Sequence, residues 1–249
     1  MKNHVRSGRF YRRHSPRPGE RSFQVVIGQS DLWITVRADC ATDMERLALD
    51  RVREARTQIS NWVLLDPLFG TSLEPVSVPD HAPDLIRRMG RAASLMGVGP
   101  MAAVAGTVAA YAAETLSLES PDCLVENGGD SMLYSTCERV VALLPDPGRA
   151  DALGLRLAPE AFPVSLCASS ATFGHSLSFG RADLAVARAK DACLADAAAT
   201  ALCNMVSAPD DVGPVAGHAS TLAPVGLEGV FLKCGDAIGI WGDMELASL

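Results

Sequence analysis

From Ala92 to Ala113 no side chain carries a charge, a run long enough to cross a bilayer as one helix. Its content argues otherwise. Only Leu95, Val98, Val104 and Val108 belong to the strongly inserting residue types, each contributing about 0.3–0.6 kcal/mol. Gly97, Gly99, Pro100 and Gly106 interrupt the run, and a proline following closely spaced glycines stops a helix. The stretch is therefore expected to form two buried helices, over about 84–96 and 102–118, joined by a tight glycine turn. No membrane association is expected.

A second segment is as constraining. Residues 191–206, DACLADAAATALCNMV, are apolar on every helical face, which demands a helix covered on most sides. With 48% hydrophobic residues in 249, the chain can bury a sizeable core. Its net charge of −7 is uneven. The first 22 residues hold seven Lys and Arg against Glu20, so the body keeps 15 basic residues (22 less 7) and 28 acidic ones (29 less 1). A basic arm over 1–22 and one domain over 23–249 are expected. The acidic body makes phosphate-backbone binding a poor fit, so no nucleic-acid partner is expected. Seven scattered cysteines without C-x-x-C spacing match neither a disulfide framework nor a structural zinc site. Together with an N-terminus lacking an apolar signal region, they predict a cytoplasmic protein.

Alternation predicts strands at 23–28, 32–37, 123–126, 131–135, 139–144, 164–168, 183–187, 229–233 and 237–241. Thr42-Asp43-Met44-Glu45 reads as a capping box opening a long helix whose stripe is Met44, Ala48, Val52, Ala55, Ile59 and Trp62. Strand pairs followed by helices, twice over, predict an α+β fold, antiparallel sheet with helices packed on it. The pattern leaves room for an internal duplication.

Three clusters could carry chemistry. Asp196 lies in the middle of the alanine-rich helix, with Thr200 one turn later on the same face. Carboxylate and hydroxyl oxygens there suit a hard cation, Mg²⁺ or Ca²⁺, or Asp196 caps a neighbouring loop and Thr200 bonds back to its own helix. Asn127-Gly128-Gly129-Asp130 is a strong hairpin-turn signal whose glycines would also let a ligand approach the backbone. Ser169-Ser170-Ala171-Thr172-Phe173-Gly174-His175 is a hydroxyl-rich loop ending in a histidine, fit for a phosphate, for proton transfer or for a polar turn.

In this order, GVGPMAAVAG, ENGGD, CASSATFGHS and ADAAAT resemble the motif series of the ApbE superfamily: G-x-x-K-G, N-A-G-G-D, a T-S-G loop leading to histidine, and A-D-x-x-x-T. The likeness runs from about Phe23 to Gly242 and is nearest to the short, soluble branch with a G-H-S-L-S-x-G run. It implies a tunnelling-fold-like architecture and, from the superfamily's best-known members, Mg²⁺-dependent transfer of FMN from FAD to a protein threonine. Carried across, Asp196 and Thr200 would hold the metal, joined by a backbone carbonyl near Val104. Gly99, Gly106, Asn127, Gly128, Gly129, Asp130, Ser169 and Ser170 would line a flavin or nucleotide pocket, and His175 would be catalytic. The implied partners are a nucleotide-type ligand and an acceptor protein, with a homo-oligomer left open. Two departures stand out: Ala105 replaces the family lysine, and Ser176-Leu177-Ser178 replaces the acidic-Pro pattern after the histidine. Whether the chain is itself an enzyme stays open. The alternatives are sulfur transfer toward thiol amino acids, with Cys167 as carrier, and a non-catalytic flavin-binding or assembly subunit.

Overall fold

The computed structural model describes residues 16–143, 153–171 and 180–248. Eight strands form one sheet: β1 (Glu20–Ile27), β2 (Ser30–Arg37), β3 (Cys123–Asn127), β4 (Asp130–Tyr134), β7 (Val164–Ser169), β8 (Leu184–Ala189), β9 (Leu227–Cys234) and β10 (Ala237–Gly242). They lie side by side in that order, and every neighbouring pair is antiparallel. Between β4 and β7 the chain leaves to make β5 (Arg139–Leu143) and β6 (Leu153–Leu157), which pair with the last strand β11 (Glu245–Ser248) in a small second sheet.

Helices fill the connection inside each half. α1 (Met44–Leu65), α2 (Pro67–Thr71), α3 (Asp84–Met96) and α4 (Val104–Leu116) stand between β2 and β3. α5 (Ala192–Met205) and α6 (Val212–Ala219) stand between β8 and β9. The chain thus runs strand pair, helices, strand pair twice, and the two units share one sheet, a topology in keeping with the duplication left open above.

Strand alternation sorts the core into two faces. Val25, Ile34, Val125 and Met132 point to α1, α3 and α4, while Ala185, Ala187, Val230 and Leu232 point to α5 and α6. The opposite face of the central strands, Leu133, Leu166, Val186 and Phe231, packs on Leu143, Leu155 and Leu157 of the small sheet. The alanines of α5 bring it close to β7 and β8.

The uncharged run behaves as its glycines and proline require. α3 ends at Gly97, whose φ of 68° is left-handed, and a 3₁₀ turn from Pro100 leads into α4. The two helices meet at 108°. Among the described residues no single helix is long and apolar enough to cross a membrane.

Several expectations need correction. α1 is capped by Asp43, which accepts from the Arg46 amide at 3.1 Å, because Thr42 is drawn to Glu119 at 2.6 Å. The capping box therefore does not form. β1 begins at Glu20, inside the stretch expected as an arm, because Glu20 pairs at 2.5 Å with buried Arg139, which also reaches Asp122 at 3.3 Å. α2, α6, β6 and β11 went unforeseen. In α6, Gly217 is exposed and a Cβ added there would meet nothing within 4 Å. Gly217→Ala is therefore expected to raise stability by about 0.5–1 kcal/mol in a urea melt.

Candidate functional site

Asn127 and Asp130 face each other across a two-residue hairpin, and Gly128 and Gly129 both have positive φ, 76° and 118°, as such a tight turn requires. The Glu126 carboxylate fastens the turn by accepting from the Gly129 amide at 2.9 Å. Because Asn127 ends β3 and Asp130 starts β4 with even spacing from Val125 and Met132, both side chains project to the helix face.

There they meet the start of α4. The helix has no capping side chain of its own. Instead the Asp196 carboxylate, reaching across from α5, accepts from the Gly106 amide at 2.8 Å and from the Ala105 backbone. Gly106 is glycine for want of space: a Cβ would lie 2.5 Å from the Ala192 carbonyl oxygen and 2.9 Å from the Asp196 Cβ. Asn127 donates to the Ala105 carbonyl at 3.1 Å. On β7, Cys167 and Ser169 share the helix face, and the Ala168 amide donates to Asp130 Oδ1 at 3.1 Å.

Asp130 and Asp196 are both buried and lie near enough to repel. Burial pushes Asp130 up to about 7, against hydrogen bonds from the Ala168 amide and the Cys167 thiol. Burial raises Asp196 well above the usual carboxylate range, and the Asp130 charge adds to the rise. The Cys167 thiol is likewise pushed well up by burial and then by the two carboxylates. The Ser169 hydroxyl is buried without a partner among the described residues.

Asn127, Asp130, Ser169, Gly106 and Asp196 are thus gathered at one place from five elements, β3, β4, β7, α4 and α5. Thr200 is half-buried one turn beyond Asp196 on α5, and Ser170 follows β7. Gly99 has another reason to be glycine: its Cβ would lie 1.9 Å from the Ser72 carbonyl oxygen, so it serves the packing of the 3₁₀ turn on the end of α2. His175 lies outside the described residues. Sequence reasoning missed the Ala168 amide, since no residue type announces a backbone group, whereas Gly106 and a backbone carbonyl near Val104 entered through the resemblance. Among the described residues no three His, Cys, Asp or Glu side chains have metal-holding geometry, so any cation here would rest on the carboxylate pair with hydroxyl or backbone oxygens.

Two repeated strand–helix–strand units in one antiparallel sheet, with this cluster at a helix start, define an ApbE-like α+β protein. Solved structures agree on the fold. The Pseudomonas stutzeri flavinyl transferase ApbE superposes with a TM-score of 0.60 at 10% identity, over 89% of this chain and 94% of that one. The flavin transferase ApbE from Vibrio cholerae gives 0.52 at 14% identity, over 89% and 96%. In sequence, a UPF0280 protein of Methanosarcina barkeri is 37% identical over 215 residues, covering 85% of this chain and 83% of the relative. One from Archaeoglobus fulgidus is 41% identical over 162 residues, covering 65% and 66%. The family model described as AbpE bacteria matches residues 13–225. The chain belongs to that family, within the ApbE superfamily.

Proposed function

We propose that this chain binds a flavin nucleotide together with a divalent cation at the start of α4, and that it acts on the nucleotide's phosphoryl groups. One observation carries the reading: two buried carboxylates from separate elements, Asp130 and Asp196, stand close enough to repel each other, with the buried Ser169 hydroxyl nearby on β7 lacking a partner among the described residues. Two such carboxylates are costly unless protonated or matched by a cation, and their hard oxygens fit Mg²⁺ or Mn²⁺.

Asp196 and Thr200 would hold the cation, with Asp130 beside them and a carbonyl of the first α4 turn in reach. A bound cation supplies positive charge that offsets the carboxylates and the diphosphate. Gly128 and Gly129, without side chains, allow the ligand against the hairpin backbone, and Ser169 and Ser170 offer hydroxyl donors. His175 takes the proton-handling role by resemblance alone. Because Ala105 stands where the family has lysine, nucleotide binding here depends more heavily on the cation. A fully buried, protonated thiol is a poor sulfur carrier, so the setting of Cys167 weighs against sulfur transfer.

The test is titration of FAD and FMN into purified protein with Mg²⁺ or with EDTA, followed by chromatography for FMN and AMP. Flavin bound only with the cation, and FAD cleaved, is the expected result. Binding without cleavage would leave a flavin-binding subunit. No flavin bound at millimolar Mg²⁺ or Mn²⁺ would end the proposal.

A further inference from the structure

The Asn127 side chain is buried, and its amide is spent at both ends on backbone from two other elements. Its Oδ1 accepts from the Asp31 amide at the start of β2 at 3.3 Å, and its Nδ2 donates to the Ala105 carbonyl at the start of α4 at 3.1 Å. Its own backbone pairs with Leu32 on one side and Asp130 on the other. The next residue after Ala105 is Gly106, whose amide holds Asp196 at 2.8 Å. An unbroken run of contacts therefore leads from Asn127 through one turn of backbone to the carboxylate of α5, across 22 and then 90 residues of sequence.

We propose that Asn127 is a positioning residue: it fixes the first turn of α4 against the β3–β4 hairpin, and through the Ala105–Gly106 backbone it sets where Asp196 and the Ala105 carbonyl sit. This differs from lining the nucleotide pocket, since both ends of the amide bond to protein backbone. It deepens the cation-and-flavin reading and rests on it. The reason for asparagine is specific. The position needs one donor and one acceptor on a short planar group, because a carbonyl lies on one side and an N–H on the other. Aspartate offers no donor and would turn a negative oxygen toward the Ala105 carbonyl, while keeping the acceptor for Asp31.

That asymmetry supplies the experiment. Asn127→Asp and Asn127→Ala are compared with the unsubstituted protein by amide hydrogen exchange and by Mn²⁺ binding without nucleotide, Mn²⁺ serving as the spectroscopic probe. In Asn127→Asp, the Gly106 amide is expected to exchange about tenfold faster while the Asp31 amide stays protected. In Asn127→Ala both amides lose protection. Mn²⁺ affinity is expected to fall about 10–100-fold in Asn127→Asp, as for other groups that orient a ligand without touching the metal. An extra carboxylate acting only through its charge would tighten Mn²⁺ instead, so the two roles give opposite signs. Unchanged Gly106 exchange, or unchanged or tighter Mn²⁺ binding with circular dichroism like that of the parent, overturns the proposal. If the unsubstituted protein binds no Mn²⁺, the cation reading fails by itself, and Gly106 exchange alone decides whether Asn127 positions the helix.

Discussion

Replacing Asp196→Asn is expected to make the metal-free protein more stable than the parent at pH 8 and to abolish cation-dependent flavin binding. The asparagine oxygen can still accept from the Gly106 amide, and its NH₂ can face Asp130, so the cap on α4 survives while the repulsion between the two carboxylates disappears. Removing a buried carboxylate whose charged form is opposed by burial and by Asp130 should yield about 1–3 kcal/mol, a rise in melting temperature of about 2–10 °C for a chain of this size.

The pH dependence has a definite sign. Asp130 is raised to about 7 in the fold, so between about pH 4 and 7 the native state holds a proton that the unfolded chain has released. The stability this contributes is fully present below pH 4 and is lost as pH rises through 7. For a shift of about three units the loss is on the order of 4 kcal/mol. Asp196, raised in the same direction, steepens it. In EDTA the parent should therefore melt lower at pH 8 than at pH 5.5, and Mg²⁺ should restore more stability at pH 8, where Asp130 has passed its midpoint and the pair carries more negative charge. Asp196→Asn should flatten the pH profile and remove the Mg²⁺ effect. A parent protein that is equally stable at both pH values in EDTA, or a variant that still binds flavin with Mg²⁺, would contradict this account.

The parts of this arrangement legible in the sequence are those with local causes. The turn between α3 and α4 could be placed because Gly97 and Pro100 break a helix wherever they occur. The β3–β4 hairpin could be placed because Asn-Gly-Gly-Asp favours positive φ. The parts that were not legible have partners far away in the chain. Thr42 carries a good capping pattern and is nonetheless taken by Glu119, 77 residues on. β6 and β11 pair across some ninety residues, and Leu-Gly-Leu-Arg-Leu alone gives no sign that Glu245–Ser248 will lie beside it. Gly99 and Gly106 look alike in a glycine-bearing segment. Only the structure separates one that admits the Ser72 carbonyl from one that admits α5.

That distinction makes Gly106→Ala the substitution with the largest expected structural consequence near the site. Its new methyl would lie 2.5 Å from the Ala192 carbonyl oxygen, 2.9 Å from the Asp196 Cβ and 3.2 Å from the Cys167 Sγ. None of the three is the free end of a long side chain, so the clash cannot be relieved by a rotamer change. α4 and α5 must separate, in a layer where alanines on both helices leave little slack. Such overpacking costs about 1–3 kcal/mol. The separation would lengthen the amide bond that Asp196 accepts, so cation and flavin affinity should fall with stability. Gly129→Ala supplies the contrast. Its φ of 118° strains any side chain, yet its nearest neighbour would be the Ala168 Cβ at 3.7 Å, so the helix pair is untouched. Urea melts should show both variants destabilised, while Mn²⁺ titration should show the greater loss for Gly106→Ala. Equal losses of Mn²⁺ affinity would mean that the spacing between α4 and α5 does not govern the site.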